Sequence, residues 1–160
     1  MTAVFSPCRT WRYRLDRDLE LLASTRIAVA FIGLNPSTAD ETHDDPTIRR
    51  CKRFALDWGF ARLVMANAYA YRSTAPRGLW SAADPVGPEN DSHLEAIARE
   101  VELVVCAWGA HAKPDRVAAV LAALARAGRQ PHALRVTKAG APGHPLYLPG
   151  DLTPAPWSPP

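Results

Sequence analysis

Four polar positions lie at or soon after the ends of strand-like runs: Asn35 in Phe31-Ile-Gly33-Leu34-Asn35-Pro36-Ser37, Asn67 in Leu63-Val-Met-Ala-Asn67, His111 in Trp108-Gly109-Ala-His111, and His144 in Gly143-His144-Pro145. A carboxamide offers a donor and an acceptor side by side, and an imidazole donates a hydrogen bond or moves a proton near neutral pH. A carboxamide is no general base, so proton abstraction would fall to a carboxylate such as Asp44 or Asp45. The structural alternative is plain at every position: a lone Asn satisfies local backbone at a turn, and a lone His is a satisfied core or surface residue.

These residues need elements to bring them together. Residues 26–34 read as a buried strand. Asp45-Pro46 then opens a helix, with Asp45 as cap and Pro46 at its first position. Ile48, Cys51, Ala55 and Trp58 share a helical face, and Gly59 ends it. Residues 63–67 form a second strand. A helix over 89–100 carries the stripe Leu94, Ile97, Ala98 and Val101. Residues 103–108 form a third strand, 114–124 a helix and 132–136 a shorter fourth strand nearer an edge. Alternating strands and helices imply an α/β fold with helices on both faces of a parallel sheet. Ligands in such sheets bind outside the carboxyl ends of the strands, where the four polar positions would meet. Trp11, Tyr13 and Leu15 alternate with Arg12 and Arg14, which reads as a strand or hairpin on the sheet edge. The whole chain, 1–160, is expected to be one domain, with residues 1–25 as an edge segment and 149–160 as an extended Pro-rich tail.

With 160 residues, 48% hydrophobic and 22% charged, the composition is that of a soluble globular chain with a sizeable core. The apolar runs are strand-sized, so no membrane span is expected, and the charged N-terminal residues do not read as a signal peptide. Cys8, Cys51 and Cys106 are scattered with no Cys-x-x-Cys spacing, which fits a reducing cytoplasm and speaks against a disulfide framework or a cysteine metal site. The net charge of +3 permits a polyanion partner without demanding one. Basic residues cluster at Arg9, Arg12, Arg14 and Arg17 and again at Arg49, Arg50, Lys52 and Arg53; each cluster is either solvated surface charge or a phosphate contact.

Gly33-Leu34-Asn35-Pro36 resembles the Gly-Ile-Asn-Pro motif of the mismatch-specific branch of the uracil-DNA glycosylase superfamily. Residues 50–60, ending Gly59-Phe60, look like the helix that follows it there. Val104-Val-Cys-Ala-Trp108-Gly109 looks like that superfamily's strand ending in Trp-Gly, and His144-Pro145 resembles the start of its His-Pro-Ser motif. The order matches over about residues 26–148. A closer resemblance, over nearly the whole chain, is to the domain-of-unknown-function family numbered 1643. It rests on Asn35-Pro-Ser-Thr-Ala-Asp40, Asp44-Asp-Pro-Thr-Ile-Arg-Arg-Cys51 and Asp84-Pro-Val-Gly-Pro-Glu-Asn-Asp91.

The glycosylase resemblance implies a three-layer α/β/α fold around a mainly parallel four-stranded sheet. It also implies excision of a damaged or modified base by hydrolysis of its N-glycosidic bond. Asn35 would orient the attacking water, Asn67 would read the base edge and His144 would stabilise the departing base. Phe54 or Tyr69 would stack on the base, and Leu146 and Tyr147 would fill the vacated stack. Gly33, Leu34, Pro36, Ser37 and Trp108 complete the expected substrate-binding set, and Asp45 is the candidate base. DNA or a nucleotide is the expected partner. No cofactor, resident metal or protein partner is assigned.

Two departures stand out. The sequence reads His144-Pro145-Leu146 where the superfamily has His-Pro-Ser. Acidic residues Asp40, Glu41, Asp44 and Asp45, with His43, follow Asn35-Pro36 in place of a glycine-rich turn. That stretch is either a capped, solvated loop or a divalent-cation site. Two alternatives to the glycosylase therefore stand: a hydrolase or binding protein for free nucleotides or nucleosides, and a non-catalytic nucleic-acid-binding module.

Overall fold

The computed structural model describes residues 1–19 and 26–160. Its strands are β1 (Thr2–Phe5), β2 (Arg12–Asp18), β3 (Ala28–Gly33), β4 (Arg62–Asn67), β5 (Leu103–Cys106), β6 (Pro131–Ala133) and β7 (Ala155–Pro156). The helices are α1 (Pro46–Asp57), α2 (Pro76–Ser81), α3 (Asn90–Glu100) and α4 (Pro114–Arg126), and a 3₁₀ turn spans Pro145–Tyr147.

The fold is α/β, but its sheet is larger than the expected four strands. Seven strands run in the order β1-β2-β4-β3-β5-β6-β7. The four expected strands, β4, β3, β5 and β6, form a parallel centre. Antiparallel strands extend it at both ends: the β1–β2 hairpin beside β4, and β7 beside β6. The hairpin matches the edge segment expected from the Trp11–Leu15 alternation; the rest of that segment, residues 20–25, lies outside the described residues. The fourth strand is shorter than 132–136 and starts one residue earlier, because β6 shares only two register pairs with β5.

Strand periodicity divides the core. Ala28, Ala30 and Ile32 of β3 face a cluster with Leu94 and Ile97 of α3 and Val120 and Leu124 of α4. Val29 and Phe31 face the opposite side, where α1 buries Ile48, Cys51, Phe54 and Ala55. Each large apolar side chain buried this way contributes about 1.5–3 kcal/mol. α1 begins where its residues require: the Asp45 carboxylate accepts the Ile48 N–H at 2.9 Å, and Pro46 occupies the first turn. Among the described residues, no helix is long and apolar enough to cross a membrane.

Candidate functional site

β3 and β4 end in register, with Gly33 opposite Asn67. A Cβ on Gly33 would come within 2.9 Å of Asn67 Oδ1, so the missing side chain makes room for the carboxamide. Asn67 is buried, and its Nδ2 has no hydrogen-bond partner among the described residues. Its backbone is held from behind: Asn90 Nδ2 donates to Asn67 O at 3.0 Å and to Ala68 O at 3.2 Å. An amide donor buried without a partner costs roughly 1–3 kcal/mol, so Asn67 is a group in want of a hydrogen-bond acceptor.

Asn35 has the complementary arrangement. Its Nδ2 donates to Ser73 O at 2.8 Å and Pro36 O at 3.1 Å. Both bonds consume the donor side and leave Oδ1 without a partner among the described residues. Pro36 shapes this turn from behind, its carbonyl accepting the Ser73 N–H at 2.9 Å, and does not line the cavity. Asp45 Oδ1 is spent on the α1 cap, while Oδ2 has no partner among the described residues.

His144 arrives from the other side of the sheet's carboxyl edge. Gly109, just past β5, adopts φ +75° and donates its N–H to Pro142 O at 2.8 Å. That left-handed turn brings the 142–148 segment against the end of β5. His144 Nδ1 accepts the Leu146 N–H at 3.2 Å, so the neutral ring carries its proton on Nε2. Burial lowers the His144 pKa below its ordinary value and Asp45 opposes the shift, which keeps the ring neutral at physiological pH. Arg50 on α1 clamps the segment through Pro145 O and Leu148 O.

Asn35, Asp45, Asn67 and His144 line one cavity of about 570 Å³. Gly33, Leu34, Ser37 and Trp108 also line it, with Tyr147 and His111. Tyr147 is 83% exposed, its ring 5.3 Å from that of His144. Trp108 is buried and meets Trp157 of the C-terminal tail edge-on at 5.6 Å. Two expected stacking residues lie elsewhere. Phe54 is in the core against Phe31 and Trp58, because it shares the buried face of α1. Tyr69 is buried beside Trp80, its hydroxyl accepting the Lys113 N–H at 3.1 Å.

The acidic loop is committed to the fold. Asp40 Oδ1 accepts the N–H groups of Thr42 at 2.8 Å and His43 at 2.9 Å, which holds its pKa well below the usual carboxylate range. Glu41 pairs with Arg9 at 2.8 Å. Asp44 pairs with Arg17 at 2.7 Å and with Lys52 at 2.8 Å. Burial pushes the Asp44 pKa up, but the Lys52 and Arg17 bonds outweigh it and leave the carboxyl below its ordinary value. No three metal-ligating side chains gather among the described residues.

The basic clusters are paired to different degrees, and Arg49 and Arg53 stay exposed. Arg14 pairs with Asp16 and Glu100, Arg53 with Asp57, and Arg17 is fully buried on Asp44. Arg12 is 2% exposed and lines the cavity. The solvated-charge alternative for its cluster therefore does not hold for Arg12. β1 covers the edge of β2, and the loop after β3 covers the guanidinium, whose Nη1 donates to Ala39 O at 2.8 Å. Ser73 and Thr74, which also line the cavity, carried no signal beyond their place soon after Asn67.

No curated protein and no solved structure gives a significant match to the chain. One family model does match, over residues 12–146, which include β2 to β6, all four helices and His144. The chain therefore belongs to the family described as "Protein of unknown function (DUF1643)".

Proposed function

We propose that the cavity binds a nucleobase and that the protein hydrolyses the base's N-glycosidic bond. The observation that carries this reading is the pairing of opposite polar groups in one cavity: a buried, unpartnered Asn67 donor and an Asn35 acceptor whose own donor is consumed. A base edge carries both kinds of partner, and the cavity has the volume of a small-molecule site. Helices packed on both faces of the parallel strands, with the cavity at their carboxyl ends, support a three-layer, uracil-DNA glycosylase-like arrangement.

In this mechanism Asn35 Oδ1 orients a water toward the anomeric carbon, and Asp45 Oδ2 takes its proton as the new C–O bond forms. The glycosidic C–N bond breaks and its electron pair leaves with the base. The neutral His144 donates from Nε2 to the oxygen on which that charge collects, without first losing a proton itself. Trp108 forms an apolar wall, and the exposed Leu146 and Tyr147 stand at the rim, available to a disrupted base stack.

A second reading, action on free nucleotides or nucleosides, is favoured by the basic residues. Most of both clusters are engaged within the protein, which weakens the hold these clusters offer a phosphate backbone. One assay separates the readings. The protein is incubated with oligonucleotides, and separately with free nucleosides and nucleotides, carrying uracil, other deaminated bases or modified bases. Base release is expected from at least one substrate, and Asn35→Ala is expected to slow it about a hundredfold or more, as loss of a transition-state-positioning group does. No release across the panel from folded protein would overturn the hydrolase.

A further inference from the structure

We propose that Arg12 is an anion subsite within this cavity and that it takes the phosphate of a mononucleotide whose base Asn67 reads. The proposal deepens the base-binding reading above and rests on it. Arg12 is 2% exposed, yet of its five N–H donors only one, on Nη1, has a partner among the described residues. Its Nε is buried without a partner. No carboxylate lies within ion-pair distance among the described residues, whereas buried Arg17 and Arg116 each hold one, at 2.7 Å and 2.6 Å. Burying an unpaired charge is costly unless something neutralises it. Nε and Nη2 are the donors left without a partner, and a guanidinium edge receives two oxygens of one phosphate once a ligand displaces what closes Nε off.

The surroundings define what fits. The hydroxyls of Ser37 and Thr47 line the same cavity and make no hydrogen bond among the described residues. Asp45 also lines it and repels an anion, which suits the subsite to a single phosphate rather than a polyphosphate. A group that reaches a 2%-exposed guanidinium must enter the cavity. A terminal phosphate has one substituent to accommodate; a strand phosphodiester drags a nucleotide on either side. The internally paired basic clusters offer such a strand little further hold.

The test is calorimetric titration of the full chain. The ligands are 2′-deoxynucleosides carrying uracil and the four ordinary bases, their 3′- and 5′-monophosphates, and a single-stranded oligonucleotide. A monophosphate is expected to bind roughly tenfold to a hundredfold tighter than its nucleoside, the range of charge-assisted hydrogen bonds. Inorganic phosphate should compete with the monophosphate and not with the nucleoside. Arg12→Met should erase the difference and leave nucleoside affinity in place; Arg12→Lys should restore part of it. The first two measurements need no variant, so they decide the matter if Arg12→Met fails to fold. Equal affinity for nucleoside and monophosphate would overturn the subsite while sparing base binding. No binding of either would overturn both. An oligonucleotide that binds more tightly than every monophosphate, with the same loss in Arg12→Met, would overturn the mononucleotide in favour of a strand.

Discussion

At the scale of single residues, the site is built from groups whose hydrogen bonds are half complete. Asn35 spends its donor and keeps its acceptor; Asn67 keeps its donor; His144 spends Nδ1 and keeps Nε2. That His144 stays neutral has a consequence for stability. Its folded pKa lies below its ordinary 6.5 because burial disfavours the charged ring. Between the two values the unfolded chain binds more protons, so stability is unaffected above 6.5 and falls as pH drops through that window. His93, half-buried and stacked on Tyr13, adds a loss of the same sign. Urea unfolding at pH 7.5 and pH 5 should therefore show a drop in stability that shrinks, without vanishing, in His144→Gln. An undiminished drop would remove His144 from the account. Asn35 and Asn67 were legible as candidates because each ends an apolar run, and His144 because it follows the last expected strand in a His-Pro pair. Phe54 misled because a side chain that can stack on a base packs equally well beneath a helix, and one sequence does not say which face is covered.

At the scale of elements, α1 serves both fold and site. Its first cap is Asp45, whose second oxygen is free to face a substrate. Capping and proton abstraction can be separated by substitution. Asp45→Ala removes both and should cost about 1 kcal/mol in unfolding free energy. Asp45→Asn remains a good cap but is not a base, so stability should hold while base release falls. If Asp45→Asn releases base at the original rate, Asp45 is a cap alone. The limits of α1 were readable from Asp45-Pro46 and Gly59, since capping and left-handed turn residues act locally. α2 escaped notice because its six residues are too few to show a periodic apolar stripe. The length of β6 depends on neighbours β5 and β7, which local sequence does not register.

At the scale of the whole molecule, the C-terminal tail supports the cavity from outside the family-matched region. β7 pairs with β6, Trp157 donates its indole N–H to Gly140 O at 3.1 Å, and its ring buttresses Trp108. Trp157→Ala should cost about 3–5 kcal/mol, as loss of a buried aromatic does. It should also alter the fluorescence or ring-proton shifts of Trp108 at the cavity wall. Unfolding free energy and Trp108 signals both unchanged from the parent would show the tail to be a passive appendage.

The sequence by itself determined the α/β class, the four central strands and their parallel direction, the cap of α1 and the polar residues at or after the strand ends. Those properties follow from periodicity, turn chemistry and caps, all of which act over a few residues. Only the tertiary structure decided the rest. It extended the sheet to seven strands, committed the acidic loop and several of the clustered basic residues to internal pairs, and buried Arg12 with no carboxylate at ion-pair distance among the described residues. Charge pairing and burial depend on which distant segments meet, and Arg12 lies 27 residues from the loop carbonyl that receives it.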